Sequence, residues 1–247
     1  MNKMFLLFAL IGLIPGLSFG KQNISFACNY FPPQKITSPK ESSHPGYDVE
    51  ILASVISDMG HETTFEFFPW NRAYEMVKTG KRDGLCSCSY LPEREEDFVF
   101  SEPIGLAVRG VFYRDDAGIK SSEILTLNHL KGKKTAVVRG YNLESELKEA
   151  GVENIEVVNT DKLLLNLLLF KRVDYIYSYE STILFELQQL NPAPVLAFRG
   201  FGETPYYACF SRRTHNSIEL VKSFNDALHK MKQDGRYRDI MLRYRAP

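Results

Sequence analysis

The first third of the chain alternates between two hydrophobic patterns. Short apolar runs typical of strands are separated by longer stretches with an apolar residue every three or four positions, which are typical of helices. Strands are predicted at 24–29, 63–68 and 84–86, and helices at 46–60 and 69–80. Glycines close both helices. An order of strand, helix, strand, helix and strand predicts a parallel sheet with crossover helices, which is an α/β fold.

The same patterns continue to the C-terminus. Strands are predicted at 135–138, 155–158, 175–177, 195–198 and 205–210, and helices at 143–150, 163–170, 216–235 and 237–244. A long extended run at 105–114 and the segment 199–202 are expected to connect two halves of the molecule. Thr160 is the expected cap of helix 163–170, which is apolar on both sides and should therefore be heavily buried.

The first 20 residues have the layout of a cleaved secretory signal. Lys3 precedes an apolar core at 4–14, and the small residues Ser18 and Gly20 predict cleavage near Gly20. The apolar core is too short for a stable membrane span. The mature chain should therefore be exported and soluble.

Charge and length limit the partners and the architecture. Removal of the signal leaves 29 basic against 30 acidic residues, because Lys3 is the one charge lost. That balance gives no reason to expect binding to nucleic acid or to an anionic membrane surface. About 227 mature residues suffice for one large domain or two lobes of roughly 100 residues each.

The stretch 83–103, DGLCSCSYLPEREEDFVFSEP, carries the clearest candidate site. Ser87 and Ser89 stand where the strand 84–86 gives way to small polar residues, and strand ends are where polar ligands are usually captured. Arg94 follows in a run that suits a first helical turn. A planar guanidinium can hold a carboxylate through two parallel hydrogen bonds. The alternative is that Arg94 pairs with neighbouring acidic residues on a solvated surface.

Two further segments offer ligand contacts. Trp70 lies at a strand-to-helix junction, where its indole would stack on a ligand or instead fill the core. Arg72 is either a second anion contact or a surface residue. Gly140 would let the backbone approach a ligand at a turn before a helix. Tyr141 and Asn142 would then supply contacts, unless Asn142 is only a helix cap.

Four cysteines matter because the expected compartment is oxidising. Cys28, Cys86, Cys88 and Cys209 allow three pairings, and the sequence does not choose among them. Disulfides or buried free thiols are favoured over a metal site, because Cys86 and Cys88 lack a neighbouring ligand pair. The five histidines form no ligand-spaced set, and no catalytic or phosphate-binding motif is present. No cofactor or metal is therefore expected.

The pattern D-G-x(n)-P-E-R-E-x(2)-F-x-F-S-x-P resembles the signature segment of the amino-acid-type (family 3, type II) periplasmic solute-binding proteins of ABC transporters. The resemblance implies that Arg94 clamps the ligand carboxylate and that Ser87 and Ser89 bind ligand through hydroxyls and amides. It implies that Tyr30 packs over the ligand and that the turn 140–142 completes the clamp. It also makes a bridge beneath the site possible among Cys28, Cys86 and Cys209.

Residues 171–175 resemble the family's G-R-V-D-A motif, with Lys171 where Gly is usual and Tyr175 where Ala is usual. Amino-acid binders place an Asp shortly after this motif to hold the ligand's ammonium group. This chain offers Tyr179 there, followed by Glu180. The departure removes the expected acidic partner of an α-amino group.

The resemblance further implies a two-lobed fold with two hinge strands, with 21–108 and 205–247 in the first lobe and 109–204 in the second. The implied function is a monomeric receptor that captures an amino acid or related carboxylate by lobe closure and delivers it to the permease of an ABC importer. Such a receptor performs no bond chemistry. Two alternatives share the fold: a cyclohexadienyl-dehydratase-like enzyme with Glu180 as general acid, and a receptor that docks onto a sensor protein.

Overall fold

The structure of the chain is a computed structural model that describes residues 21–37, 44–115, 124 and 126–244. The expected secretory signal at residues 1–20 lies outside the described residues. None of the helices in the described part of the chain has the length and apolar character needed to cross a membrane.

Strands and helices follow one another much as the hydrophobic pattern predicts. The strands are β1 Asn23–Cys28, β2 Glu62–Phe67, β3 Gly84–Ser89, β4 Phe98–Arg114, β5 Thr135–Val138, β6 Ile155–Val158, β7 Tyr175–Tyr179 and β8 Leu196–Ser211. The helices are α1 Tyr47–Asp58, α2 Trp70–Lys78, α3 Asn142–Glu149, α4 Asp161–Leu169, α5 Glu180–Gln188, α6 Ser217–Gln233 and α7 Arg236–Arg243. Short 3-10 helices cover Pro92–Glu96 and Leu127–Leu130.

The strands pair in the order β2-β1-β3-β8-β4-β7-β5-β6. At one end, β1 is parallel to both β2 and β3; at the other, β5 is parallel to both β6 and β7. Between them, β4 and β8 are antiparallel and have 17 and 16 residues. Strands of that length extend about 50 Å, so they run through both groups. The molecule is therefore two-lobed and α/β, as expected.

We call the part built on β1, β2 and β3 the first lobe and the part built on β5, β6 and β7 the second lobe. Helices α1, α6 and α7 pack together over the first lobe, where Phe26, Ile51 and Phe224 are fully buried. In the second lobe α4 and α5 pack together, and Leu164 and Ile183 are buried. The predicted lobe boundaries, 21–108 with 205–247 and 109–204, stay predictions.

Helix α4 buries one face and exposes apolar side chains on the other. Thr160 caps it as predicted, because its hydroxyl accepts a hydrogen bond from the backbone N–H of Leu163 at 3.2 Å. Leu164 and Leu168 are buried, whereas Leu163 is 48% exposed and Phe170, at the end of the helix, is 73% exposed. The expectation of heavy burial is wrong for that face, because the helix covers the sheet with one side only.

Several elements differ from the sequence prediction, including β4, which begins at Phe98 instead of 105. Strand β3 continues to Ser89, with a register shift against β8 between Leu85 and Cys88. Strand β8 is one continuous strand through the predicted crossing at 199–202. Helix α5 was not predicted. Its β-branched residues lower local helix propensity, and its burial of Ile183 and Leu187 in the core compensates.

Candidate functional site

A cavity of about 60 Å³ lies between the two lobes. The first lobe contributes the turn after β1, the start of α2 and the end of β3, and the second lobe contributes the start of α3 and the end of β7. Eight of the predicted site residues line it: Trp70, Ser87, Ser89, Arg94, Gly140, Tyr141, Asn142 and Tyr179. The other lining residues are Asn29, Phe31, Gln34, Lys35, Cys88, Ala107, Thr204, Pro205 and Tyr206.

Arg94 is buried against the cavity with few of its donors in use. The residue is 7% exposed, and Nη1 donates to the backbone oxygen of Ser89 at 2.9 Å. The guanidinium carbon lies 5.4 Å from the Trp70 ring centre and 5.6 Å from that of Tyr74. Within the described part of the chain Arg94 forms no ion pair, and burial lowers its pKa. The alternative of a solvated surface pair is therefore wrong.

Aromatic packing explains why Arg94 turns inward. The 3-10 helix Pro92–Glu96 places its side chain between α2 and the end of β3, where Trp70 and Tyr74 offer ring faces. Such faces attract a guanidinium electrostatically. The neighbouring Glu95 does not pair with Arg94, because its carboxylate accepts a hydrogen bond from the Tyr90 hydroxyl at 2.5 Å. Arg94 therefore keeps N–H groups available for an anion in the cavity.

Lys35 also lines the cavity and was not among the predicted site residues. Its ammonium nitrogen donates to the Ser87 hydroxyl at 2.7 Å and lies 5.0 Å from the Phe31 ring centre. The residue is 3% exposed. Burial lowers the pKa of Lys35 to about 8, an effect that the charge of Asp48 opposes. Lys35 is thus a second buried cation beside Ser87.

A tight turn carries Lys35 inward. The backbone N–H of Phe31 donates to the carbonyl of Lys35 at 3.0 Å, and the N–H of Lys35 donates to the carbonyl of Phe31 at 2.8 Å. Gly46 holds the turn from behind at φ +104, where a Cβ atom would lie 2.2 Å from the backbone oxygen of Gln34. A lysine in a polar loop is expected to be exposed to solvent, and the sequence contains no pattern that predicts burial of Lys35.

Asp48, at the start of α1, is an acidic group whose charge acts on Lys35. It accepts a hydrogen bond from the Tyr206 hydroxyl at 3.0 Å and does not line the cavity. Burial raises the pKa of Asp48 to about 6, and the charge of Lys35 acts in the opposite direction. Asp48 therefore offsets part of the Lys35 charge from behind the cavity wall.

The second lobe meets the first at Gly140. This residue has φ +76, and a Cβ atom there would lie 2.6 Å from the Asn71 side-chain oxygen and 3.0 Å from the Trp70 ring. Only a residue without a side chain permits so close an approach at this backbone conformation. The close neighbours of this backbone are therefore Asn71 and Trp70 of the opposite lobe, and the predicted approach to a ligand stays a prediction.

Asn142 joins the two walls of the cavity. Its oxygen Oδ1 accepts from the Tyr179 hydroxyl at 2.7 Å and from the Ser89 hydroxyl, in the other lobe, at 3.3 Å. Its amide donates to Glu146 at 2.9 Å. Asn142 is the first residue of α3, and Tyr141 occupies the cap position. The alternative that Asn142 is a helix cap is therefore wrong by one residue.

Three aromatic side chains enclose the middle of the cavity. The Phe31 ring centre lies 5.8 Å from that of Tyr141 and 5.4 Å from that of Tyr179, both in edge-to-face geometry across the lobes. Tyr141 donates to Asp161 at 3.0 Å. Burial raises the pKa of Tyr179 to about 12. Its phenol is therefore neutral at physiological pH and offers hydrogen bonds rather than charge.

Three predicted site residues do not line the cavity. Tyr30 donates to the Glu186 carboxylate in the second lobe at 3.2 Å, which links the lobes beside the cavity. Arg72 stacks on Phe68, with 5.1 Å from its guanidinium carbon to the ring centre. Glu180 begins α5. Ligand contacts for these three stay predictions.

Two disulfides lie at the base of the first lobe's wall. Cys28 pairs with Cys86 and Cys88 pairs with Cys209, so β3 is linked to β1 on one side and to β8 on the other. The alternative of free thiols is wrong. Within residues 21–37, 44–115, 124 and 126–244, no group of three or more potential His, Cys, Asp or Glu ligands is placed to hold a metal ion.

Comparisons with known proteins agree with this architecture. The family described as bacterial extracellular solute-binding proteins, family 3, matches residues 24–246. A probable amino-acid ABC transporter-binding protein from Haemophilus influenzae is 25% identical over 210 residues, which is 83% of this chain and 77% of that protein.

Two solved structures share the fold. A histidine kinase sensor domain with similarity to periplasmic binding proteins superposes with a TM-score of 0.81 at 21% identity, over 90% of this chain and 95% of the other. An ancestral amino acid-binding protein, a precursor of cyclohexadienyl dehydratase, gives 0.75 at 19% identity, over 90% and 94%. At these identities the likenesses establish the fold alone.

Proposed function

Because the chain belongs to the bacterial extracellular solute-binding proteins, family 3, we propose that it is a periplasmic receptor for a small carboxylate-bearing solute. The solute is an amino acid or a close relative. The receptor captures it by closure of the two lobes and delivers it to the permease of an ABC importer. It acts as a monomer, without nucleic acid.

The observation that carries this proposal is the state of Arg94. The residue is buried, faces a cavity between the lobes, and forms one hydrogen bond among the described residues, to a neutral carbonyl group. A buried cation without a counter-charge is costly unless a ligand supplies that charge. A carboxylate that accepts two parallel N–H bonds matches the planar guanidinium.

Closure is supported by the way the cavity walls divide between the lobes. Arg94, Ser87 and Trp70 belong to the first lobe, whereas Asn142 and Tyr179 belong to the second. A solute that bridges both sets favours the closed arrangement, because only that arrangement satisfies all of its contacts. The strands β4 and β8 connect the lobes, and the boundaries 21–108 with 205–247 and 109–204 place the hinge on them.

Binding without bond chemistry and delivery to a permease are both part of this proposal. The curated relative from Haemophilus influenzae is named as a transporter-binding protein. The general acid of the dehydratase alternative, Glu180, begins α5 and does not line the cavity. The proposed export and signal cleavage near Gly20 fit the extracellular character of the family.

A thermal-shift screen with amino acids and small carboxylates tests this proposal. A ligand at about 100 times its dissociation constant adds about 2.7 kcal/mol to the unfolding free energy, so a few compounds should raise the melting temperature. If none of the carboxylates raises the melting temperature, the receptor function is overturned. Product analysis after prolonged incubation with each hit should recover the compound unchanged; conversion of a cyclic carboxylic acid would establish the enzyme instead.

A further inference from the structure

We propose that the solute is a small dicarboxylic acid, with one carboxylate on Arg94 and the second on Lys35. This inference rests on the proposed function, because it names the class of solute that the same cavity takes. It makes Lys35 a specificity-determining residue. Amino acids with neutral or basic side chains are then poor ligands. Acidic amino acids bind only because their side-chain carboxylate supplies the second negative group.

The charges around the cavity support an anionic solute. Its lining contains two cations, Arg94 and Lys35, and no Asp or Glu. Asp48 stands behind Lys35, bonded to Tyr206. With Asp48 ionised the three groups carry a net positive charge, and with Asp48 protonated they carry one more. A neutral zwitterion leaves that positive charge unbalanced at a buried site in either state of Asp48. A dicarboxylate places one negative group at each cation, and the charges then sum to zero with Asp48 protonated and to minus one with Asp48 ionised.

Hydrogen-bonding capacity points to two separate anchors rather than one. An ammonium group has three donors, and the hydrogen bond from Lys35 to the Ser87 hydroxyl uses one of them. The guanidinium of Arg94 has five donors and uses one on the Ser89 carbonyl. Ser87 and Ser89 lie two residues apart at the end of β3, so the two cations contact neighbouring positions of the same strand. A short-chain diacid has one carboxylate for each cation.

The cavity provides little for the ammonium group of a zwitterion. Asn142 Oδ1 already accepts from Tyr179 and Ser89, and the Ser87 oxygen already accepts from Lys35. The Thr204 hydroxyl accepts from Arg109. The nearest carboxylates of the second lobe, Asp161 and Glu146, are occupied by Tyr141, Ser178, Arg109, Tyr177 and Asn142. The oxygens of Asn142, Ser87 and Thr204 are thus already in use, and no carboxylate of the described residues lines the cavity.

Matched pairs of acid and amide test the proposal by isothermal titration calorimetry on the intact mature protein. The pairs are glutarate with glutaramate, succinate with succinamate, and L-glutamate with L-glutamine. Each pair keeps the size and replaces one carboxylate by a neutral amide. We expect the acid of at least one pair to bind about tenfold to 100-fold more tightly than its amide, because a hydrogen bond to a charged group is the stronger one.

The variant Lys35→Met keeps an unbranched side chain and removes the charge. It should reduce the preference for the acid to less than about threefold while the amide still binds, and Lys133→Met, at an exposed position, should keep the wild-type preference. Should Lys35→Met fail to fold, the wild-type pairs still decide. Amides or neutral amino acids that bind as tightly as the diacids would overturn the dicarboxylate proposal and leave the receptor function intact. Binding of no carboxylate at all would overturn both.

Discussion

Replacement of Arg94 by alanine separates a ligand-binding role from a structural one. In the unliganded protein this side chain contributes one hydrogen bond to the Ser89 carbonyl and two ring contacts, with Trp70 and Tyr74, against the cost of burying its charge. The hydrogen bond and the ring contacts stabilise the folded protein, and the burial of the charge destabilises it. Each of these effects is about 1 kcal/mol to a few kcal/mol. The free energy of unfolding should therefore change by only about 1 kcal/mol in Arg94→Ala.

The liganded protein should respond very differently. Loss of one partner of a buried charge pair costs about 2–5 kcal/mol, which weakens binding roughly 30-fold to 5000-fold. A ligand concentration that adds about 2.7 kcal/mol to the wild type would add only about 0.4 kcal/mol to a variant whose affinity is 100-fold lower. Isothermal titration and urea unfolding, with and without ligand, measure the two effects separately.

Arg238→Ala is the matched control, because Arg238 is an exposed arginine of α7 far from the cavity lining. It should leave both quantities unchanged. An Arg94→Ala protein that binds within about threefold of the wild type would refute the role of this guanidinium. A loss of 2–5 kcal/mol in the unliganded protein would identify Arg94 as structural.

Three further predictions concern closure, stability and pH. Tyr30→Phe removes the hydrogen bond to Glu186 across the lobes, so ligand affinity should fall about twofold to tenfold in titration calorimetry; unchanged affinity would show that the bond does not contribute to closure. The Cys88–Cys209 bridge spans 121 residues, so Cys88→Ala with Cys209→Ala should lose about 4–5 kcal/mol of unfolding free energy in urea, by the chain-entropy relation, with Cys28–Cys86 intact. A loss below about 1 kcal/mol would contradict that. Burial lowers the pKa of Lys35 to about 8, so diacid affinity should decline as pH rises above 8. The unfolded chain keeps this proton to about pH 10.4. Between about pH 8 and 10 the unfolded state therefore binds more protons than the folded state, so the free energy of unfolding of the unliganded protein should rise with pH. Lys35→Met should show neither change, and an identical profile in that variant would exclude Lys35 as their source.

Much of the fold was predictable because periodicity is a local property. The alternation of strands and helices through residue 89, the cap at Thr160 and the long C-terminal helix all follow from spacing and turn residues within short windows. Helix α5 was missed because its stability depends on burial of Ile183 and Leu187 against the second lobe, which local propensity does not report. Continuity of β8 depends likewise on its pairing with β4 over most of its length.

The site divides in the same way. Ser87 and Trp70 were identifiable because chain topology brings their positions to one edge of a sheet, and Asn142 because it follows a glycine turn at the start of a helix. Lys35 was not, because its burial arises from a turn fixed by Phe31 and Gly46. Its distance along the chain from Ser87 hides their contact. The direction in which Arg94 points depends on two aromatic rings of α2, which are also distant along the chain.

The most direct test is a crystal structure of the mature protein with the tightest ligand from the carboxylate screen. We expect one ligand carboxylate within about 3 Å of the Arg94 guanidinium, with Trp70 against the ligand and Asn142 or Tyr179 in contact from the second lobe. A ligand bound elsewhere on the molecule, or one whose carboxylate lies away from Arg94, would contradict it.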